Sequence, residues 1–162
     1  MPMTQEITFA NLKNTLTLPP INLHKSTIWH CGLLTLPRIQ TGSGVITALN
    51  NKIELPFSTK RVYYLYDVPG GAERGGHAHK HLKQLIIAAS GSFDVLIDDG
   101  SMKRTISLNR PYHGLLIVPG IWRELLNFSS GAICLVMASE VYQEDDYIRD
   151  YAEFKAIKHD PS

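Results

Sequence analysis

Gly71-Ala72-Glu73-Arg74-Gly75-Gly76-His77-Ala78-His79 is the stretch on which the fold turns. Side chains alternate across a β-strand, so two histidines one residue apart emerge on the same face, with Ala78 on the other. On both sides of this stretch Gly, Pro, Asn and Asp break the chain, at intervals of about ten residues, into short β-branched and aromatic runs, the spacing of an all-β barrel or sandwich. Strands are expected at 44–48, 61–67, 76–78, 83–89, 92–98, 102–107, 113–117, 122–127 and 132–139. Asp98-Asp99-Gly100 lies between two of these runs and reads as a hairpin turn, because Asp and Gly tolerate positive φ. The two imidazoles then share one face of a strand in such a fold.

Outside this core the pattern changes. Pro2, Pro19, Pro20 and Pro37 interrupt residues 1–40, which read as an extension with two short strands ahead of a domain at 41–158. Tyr147, Ile148, Tyr151 and Phe154 recur at helical spacing within the charged stretch 144–158, which predicts a short amphipathic helix closing the domain. With 162 residues, 44% of them hydrophobic and 19% charged, the chain is the size of one folded domain. A formal net charge of +1 gives no bulk reason to bind nucleic acid. Cys31 and Cys134 lack the spacing of a disulfide framework or a thiolate metal site, which fits a reducing cytoplasmic setting. The most apolar runs, 85–89, 115–118 and 133–138, fall far short of the roughly 20 residues of a membrane helix, and no secretory signal is visible.

The quoted stretch, followed by Gln84 and Gly91, resembles the first cupin motif: Gly, five residues, His-x-His, then Glu and Gly. Pro119-Gly120-Ile121-Trp122-Arg123, running on to Asn127, resembles the second, in which a Pro-Gly turn precedes a His and then an Asn. The resemblance implies a single-domain jelly-roll barrel. In metal-binding cupins the two motifs supply three His and one Glu. Here Gln84 stands in place of the Glu and Arg123 in place of the third His. A guanidinium has no lone pair and keeps its charge, so no bound metal is expected. Two imidazoles beside a fixed cation in a concave pocket make a proton-transfer site with an anion stabiliser. His24, His30, His81, His113 and His159 read as surface or turn residues.

Four segments in order resemble the nucleotide-sugar 3,4-ketoisomerases, or WxcM-like proteins, over about residues 44–155. They are Lys60-Arg61-Val62-Tyr63-Tyr64, Arg74 to Lys80, Gly114-Leu115 with Pro119 to Glu124, and Ala138-Ser139-Glu140 continuing into 144–151. The resemblance implies an isomerase that needs no cofactor or metal. It acts on dTDP-4-keto-6-deoxy-D-glucose and moves the carbonyl from C4 to C3 through an enediolate, on the way to surface polysaccharides. It also implies a homodimer with crossed N-terminal strands, to which residues 1–40 contribute. Carried onto this chain, His77 and His79 are a carbon base and a relay between O3 and O4, in either order, and Tyr63 donates to the enediolate oxygen. Arg61 and Arg74 hold the diphosphate, and Lys80, Gln84 and Arg123 complete the substrate site. Thr41-Gly42-Ser43-Gly44 without arginine, together with Arg123, resembles the branch that yields the gluco product. A nucleotide-sugar epimerase and a non-catalytic sugar-binding cupin remain the alternative readings, since fold alone does not fix function.

Overall fold

The alternation that sets His77 beside His79 recurs along most of the chain and generates two five-stranded sheets. A computed structural model describes residues 21–160; residues 1–20 of the expected extension, with Pro2, Pro19 and Pro20, lie outside the described residues. The strands are β1 (Gly32–Thr35), β2 (Ile39–Thr41), β3 (Gly44–Ile46), β4 (Arg61–Leu65), β5 (Arg74–His79), β6 (Gln84–Ser90), β7 (Phe93–Asp98), β8 (Lys103–Leu108), β9 (His113–Ile117), β10 (Trp122–Leu126), β11 (Ile133–Ala138) and β12 (Tyr147–Ile148), and the helix α1 is Tyr151–His159. One sheet has the order β1-β9-β6-β11-β4, the other β12-β5-β10-β7-β8, and β2 with β3 forms a separate hairpin. All named strands pair antiparallel. This is the all-β cupin architecture with a short C-terminal helix.

Between the sheets the inward residues of β6, β9 and β11, namely Ile86, Ala88, Leu115, Ile117, Cys134 and Val136, meet Phe93, Val95, Ile97, Leu108 and Leu125 from the second sheet. The outward residues of the first sheet, Leu34, Leu85, Ile87, Leu116 and Met137, are covered by Leu36, Leu55 and Phe57. The central strands of that sheet are therefore buried on both faces, which explains why β6 reads as a continuous apolar run rather than an alternation. The Asp98-Asp99-Gly100 turn forms as expected. Asp98 Oδ1 accepts from the Gly100 N–H, and Asp99 Oδ1 accepts from Ser101 and Met102.

Two expectations are revised. Residues 28–36 are not an appendage: β1 pairs with β9, and Ile28, Cys31, Leu34 and Leu36 are buried. The helix is shorter than the periodicity over 144–158 predicts. Asp150 caps α1 by accepting from the Glu153 N–H, while Tyr147 and Ile148 pair instead with His79 and Ala78 of β5. Backbone pairing to an open sheet edge wins over local helical spacing at these positions. Among the described residues no helix is long and apolar enough to cross a membrane.

Gly120 in the Pro-Gly turn positions the site. Its φ is +77°, and a Cβ there would lie 2.3 Å from the Leu23 carbonyl oxygen. Gly120→Ala is expected to lose about 1–3 kcal/mol of stability through backbone strain and this clash. Urea denaturation checks it, and a midpoint equal to wild type contradicts the packing described.

Candidate active site

Gln84, at the start of β6, faces inward in the same row as Ile86 and Ala88; Arg123 on β10 shares its face with Leu125. Between β5 and β10 the register shifts, because Arg123 opposes His77 but Leu125 opposes Arg74. The extra residue of β5 is taken up where Gly75 adopts φ +85°. This bulge lets an exposed Arg74 precede two inward histidines.

The buried polar residues form two connected lines. In the first, Arg123 is 2% exposed and only donates: Nη1 to Gln84 Oε1 at 2.6 Å, Nη2 to the Ile121 carbonyl at 2.9 Å, and Nε to that carbonyl at 3.3 Å. A donor-only partner fixes the Gln84 amide with its oxygen towards Arg123, so Nε2 donates to the Tyr63 hydroxyl at 3.0 Å. The Tyr63 oxygen accepts there, and its own proton is free to donate elsewhere. Burial raises the Tyr63 pKa despite the Arg123 charge, so the phenol stays protonated. No carboxylate among the described residues forms an ion pair with Arg123.

In the second line, Asp146 Oδ2 lies 2.9 Å from His79 Nδ1, and His79 Nε2 lies 3.1 Å from His77 Nε2. Burial pushes His77 down to about 2, helped by the charges of Arg123, His79 and Arg149. Burial also pushes His79 down to about 4, against the upward pull of Asp146. Burial would raise Asp146, yet hydrogen bonds from His79 and from the His81 and Leu82 N–H groups hold it down at about 2. The pair is therefore neutral imidazole and carboxylate near pH 7. With the His79 proton on Nδ1 facing Asp146, its Nε2 accepts from His77 Nε2–H, and His77 Nδ1 keeps a free lone pair.

Sequence reasoning placed His77, His79, Tyr63, Gln84 and Arg123 together, and they converge. Gln84 and Arg123 are enclosed, however, with their groups engaged inside the protein. Arg61 joins the cluster: its guanidinium lies 4.6 Å over the Tyr63 ring, and Nη1 donates to the Tyr147 hydroxyl at 3.4 Å. Lys80 points elsewhere, donating to the Asp145 carbonyl at 2.8 Å. His81 is exposed, as expected, although its ring also reaches Asp146.

Three site residues were missed. Asp146 sits 67 positions from His79 in an acidic run that reads as a solvated helix face. Tyr147 has its ring centroid 4.4 Å from His79 and 5.0 Å from His77. The Arg149 guanidinium lies 4.2 Å over the Tyr147 ring, with its fork on Glu144 at 2.7 and 3.0 Å. None has a spacing signal relative to the histidines; only strand β12 brings them there. A divalent cation does not fit the donor set, since the Gln84 oxygen is committed to Arg123 and the remaining position carries a positive charge.

A family model described as FdtA (WxcM-like, C-terminal) matches residues 29–159. The curated TDP-4-oxo-6-deoxy-alpha-D-glucose-3,4-oxoisomerase of Aneurinibacillus thermoaerophilus is 41% identical over 123 residues, 76% of this chain and 88% of that protein. A crystal structure of a 3,4-ketoisomerase from Helicobacter canadensis superposes with a TM-score of 0.79 at 44% identity, covering 80% of this chain and 98% of that one. The WlaRB TDP-quinovose 3,4-ketoisomerase of Campylobacter jejuni gives 0.75 at 47% identity, covering 77% and 96%.

Both histidines titrate lower in the folded protein than the ordinary 6.5, so below about pH 6.5 the unfolded chain binds more protons. Stability is therefore fully present above that pH and is lost as pH falls towards the folded values of about 4 and about 2. Urea midpoints at pH 7 and 5 are expected to show the loss, and His77→Gln should show less of it. A wild-type midpoint that does not change over this interval contradicts the neutral, buried pair.

Proposed function

Since the chain belongs to the WxcM-like family of sugar 3,4-ketoisomerases, we propose that it converts dTDP-4-keto-6-deoxy-D-glucose to the 3-keto isomer by the histidine relay described above. The observation that carries the assignment is the Asp146–His79–His77 line beside a buried guanidinium. His79 is fully enclosed and His77 half-buried, so His77 is the imidazole that meets the sugar. On this reading His77 is the carbon base, and His79 acts behind it rather than between the sugar oxygens.

The C3 proton is acidic because it lies α to the ketone. His77 takes it, and the electron pair becomes the enediolate shared by O3 and O4. Burial and Arg123 keep His77 unprotonated in the free site. The negative enediolate stabilises the imidazolium as it forms, which supplies the driving force when it is needed. Tyr63 O–H donates to the developing oxyanion, held in line by Gln84 and Arg123. The proton then returns at C4, while the O3 proton passes to O4, leaving the carbonyl at C3 with no net change in oxidation state. No metal or cofactor enters these steps.

Arg61 and Arg74 hold the diphosphate, and Arg149 shares the rim with Arg61 through Tyr147, whose hydroxyl accepts from Arg61 and whose ring lies under the Arg149 guanidinium. Lys80 anchors the 144–146 turn rather than the nucleotide. Arg123 in place of a histidine favours protonation of C4 on the face that sets its hydroxyl equatorial, the gluco product, in line with the quinovose named for the Campylobacter relative. Exposed Ile39, Val45 and Ile46 on the β2–β3 hairpin, with Val62 and Tyr64 on edge strand β4 and Tyr66 just beyond it, suit burial against a second copy of the chain.

His77→Asn is expected to lower kcat by about 10²–10⁴-fold while substrate still binds. NMR of the product from dTDP-4-keto-6-deoxyglucose, trapped by a 3-aminotransferase, checks both turnover and configuration. A near-wild-type rate rules out His77 as base, and a 5-epimer product rules out the ketoisomerase. Gln84→Glu should neutralise Arg123 and claim the Tyr63 proton, lowering kcat by about tenfold or more; an unchanged kcat contradicts the line from Arg123 to Tyr63.

A further inference from the structure

Lys158, on the last turn of α1, directs all three ammonium protons at one short turn. Its Nζ donates to the Leu23 carbonyl at 2.7 Å, the Ser26 carbonyl at 2.6 Å and Ser26 Oγ at 2.9 Å. The gripped turn is itself fixed: the Lys25 and Ser26 N–H groups donate to the Asn22 carbonyl, and the Ile28 N–H donates to Asp99 Oδ2 at 3.0 Å. A tetrahedral ammonium suits three converging acceptors, which a planar guanidinium or a neutral side chain does not satisfy.

Two routes run from this grip to His79. In the first, the Leu23 oxygen and Ser26 Oγ press on Gly120 closely enough to exclude any side chain, and the Gly120 N–H donates to the His79 carbonyl at 2.8 Å. In the second, α1 packs Phe154 against Ala78, the residue between the two imidazoles, and against Trp122 and Ile148. Ile148 belongs to β12, which pairs with His79 and Ala78 and directly follows Asp146. His79 is thus held at its carbonyl by one element and at its ring by the other, and Lys158 ties these two elements together.

We propose that Lys158 is a positioning residue for the proton relay, clamping the 22–26 turn to α1 so that Gly120 and Asp146 hold His79 in register with His77. Leu23 and Ser26 precede residues 29–159 matched by the family model, whereas Lys158 lies within them, so only the gripped half of this clamp comes from chain outside the family match. The inference rests on the relay assigned above.

Lys158→Met in the full-length chain keeps the buried stem and removes the donors. The expected result is a fall in kcat of about tenfold with KM changed less than about twofold, as a small misplacement of a reacting group produces. The downfield His79 Nδ1 proton resonance, identified by its loss in Asp146→Asn, should shift and exchange faster with solvent. A folded Lys158→Met protein with wild-type kcat and an unmoved His79 resonance overturns the proposal. If Lys158→Met does not fold, Ser26→Ala, which removes one of the three acceptors, is read in the same way. Wild-type turnover by His77→Asn would instead sink the relay itself, which separates the two failures.

Discussion

A guanidinium buried without a carboxylate is the constraint on which the rest of this site depends. Removing one ion from water costs on the order of several kcal/mol, and Arg123 recovers part of that only through neutral acceptors, the Gln84 amide and the Ile121 carbonyl. The charge is left uncompensated inside the barrel. It repels a metal cation, adds to the burial that keeps the neighbouring imidazoles neutral, and gains a close counter-charge when an anion arises beside it. A site arranged in this way favours the enediolate over the ketone from which it forms.

The proton-carrying side of the site follows from the same arrangement. His79 has no exposed surface, so its ring can be oriented only by its neighbours, and Asp146 fixes the tautomer while Gly120 fixes the strand. Tyr147 closes the space above both imidazoles. The C-terminal segment therefore packs against both imidazoles as well as covering the barrel.

Much of this was legible in the sequence, for local reasons. Period-two spacing put His77 and His79 on one face, turn residues bounded the strands from β4 to β11, and the departures at Gln84 and Arg123 stood out against a motif. What was not legible depends on pairing between distant positions. Asp146 looks like one more solvated acid until β12 docks on β5. Tyr147 and Ile148 fit a helical period as well as a strand, and the free edge of β5 decides between them. Gly32-Leu33-Leu34-Thr35 is too short to announce itself as the partner of β9. That Arg123 and Gln84 bond each other inside the barrel is a matter of burial, which spacing does not carry.

Arg123→Met separates charge from packing, because it fills similar volume and removes an ion whose burial is unfavourable. The rate of 3-keto sugar formation by this variant is the most direct measure. The account predicts a loss of about 10²–10³-fold in a protein at least as thermally stable as wild type. A folded Arg123→Met protein that turns over within a few-fold of wild type would show that the buried charge does not drive the reaction.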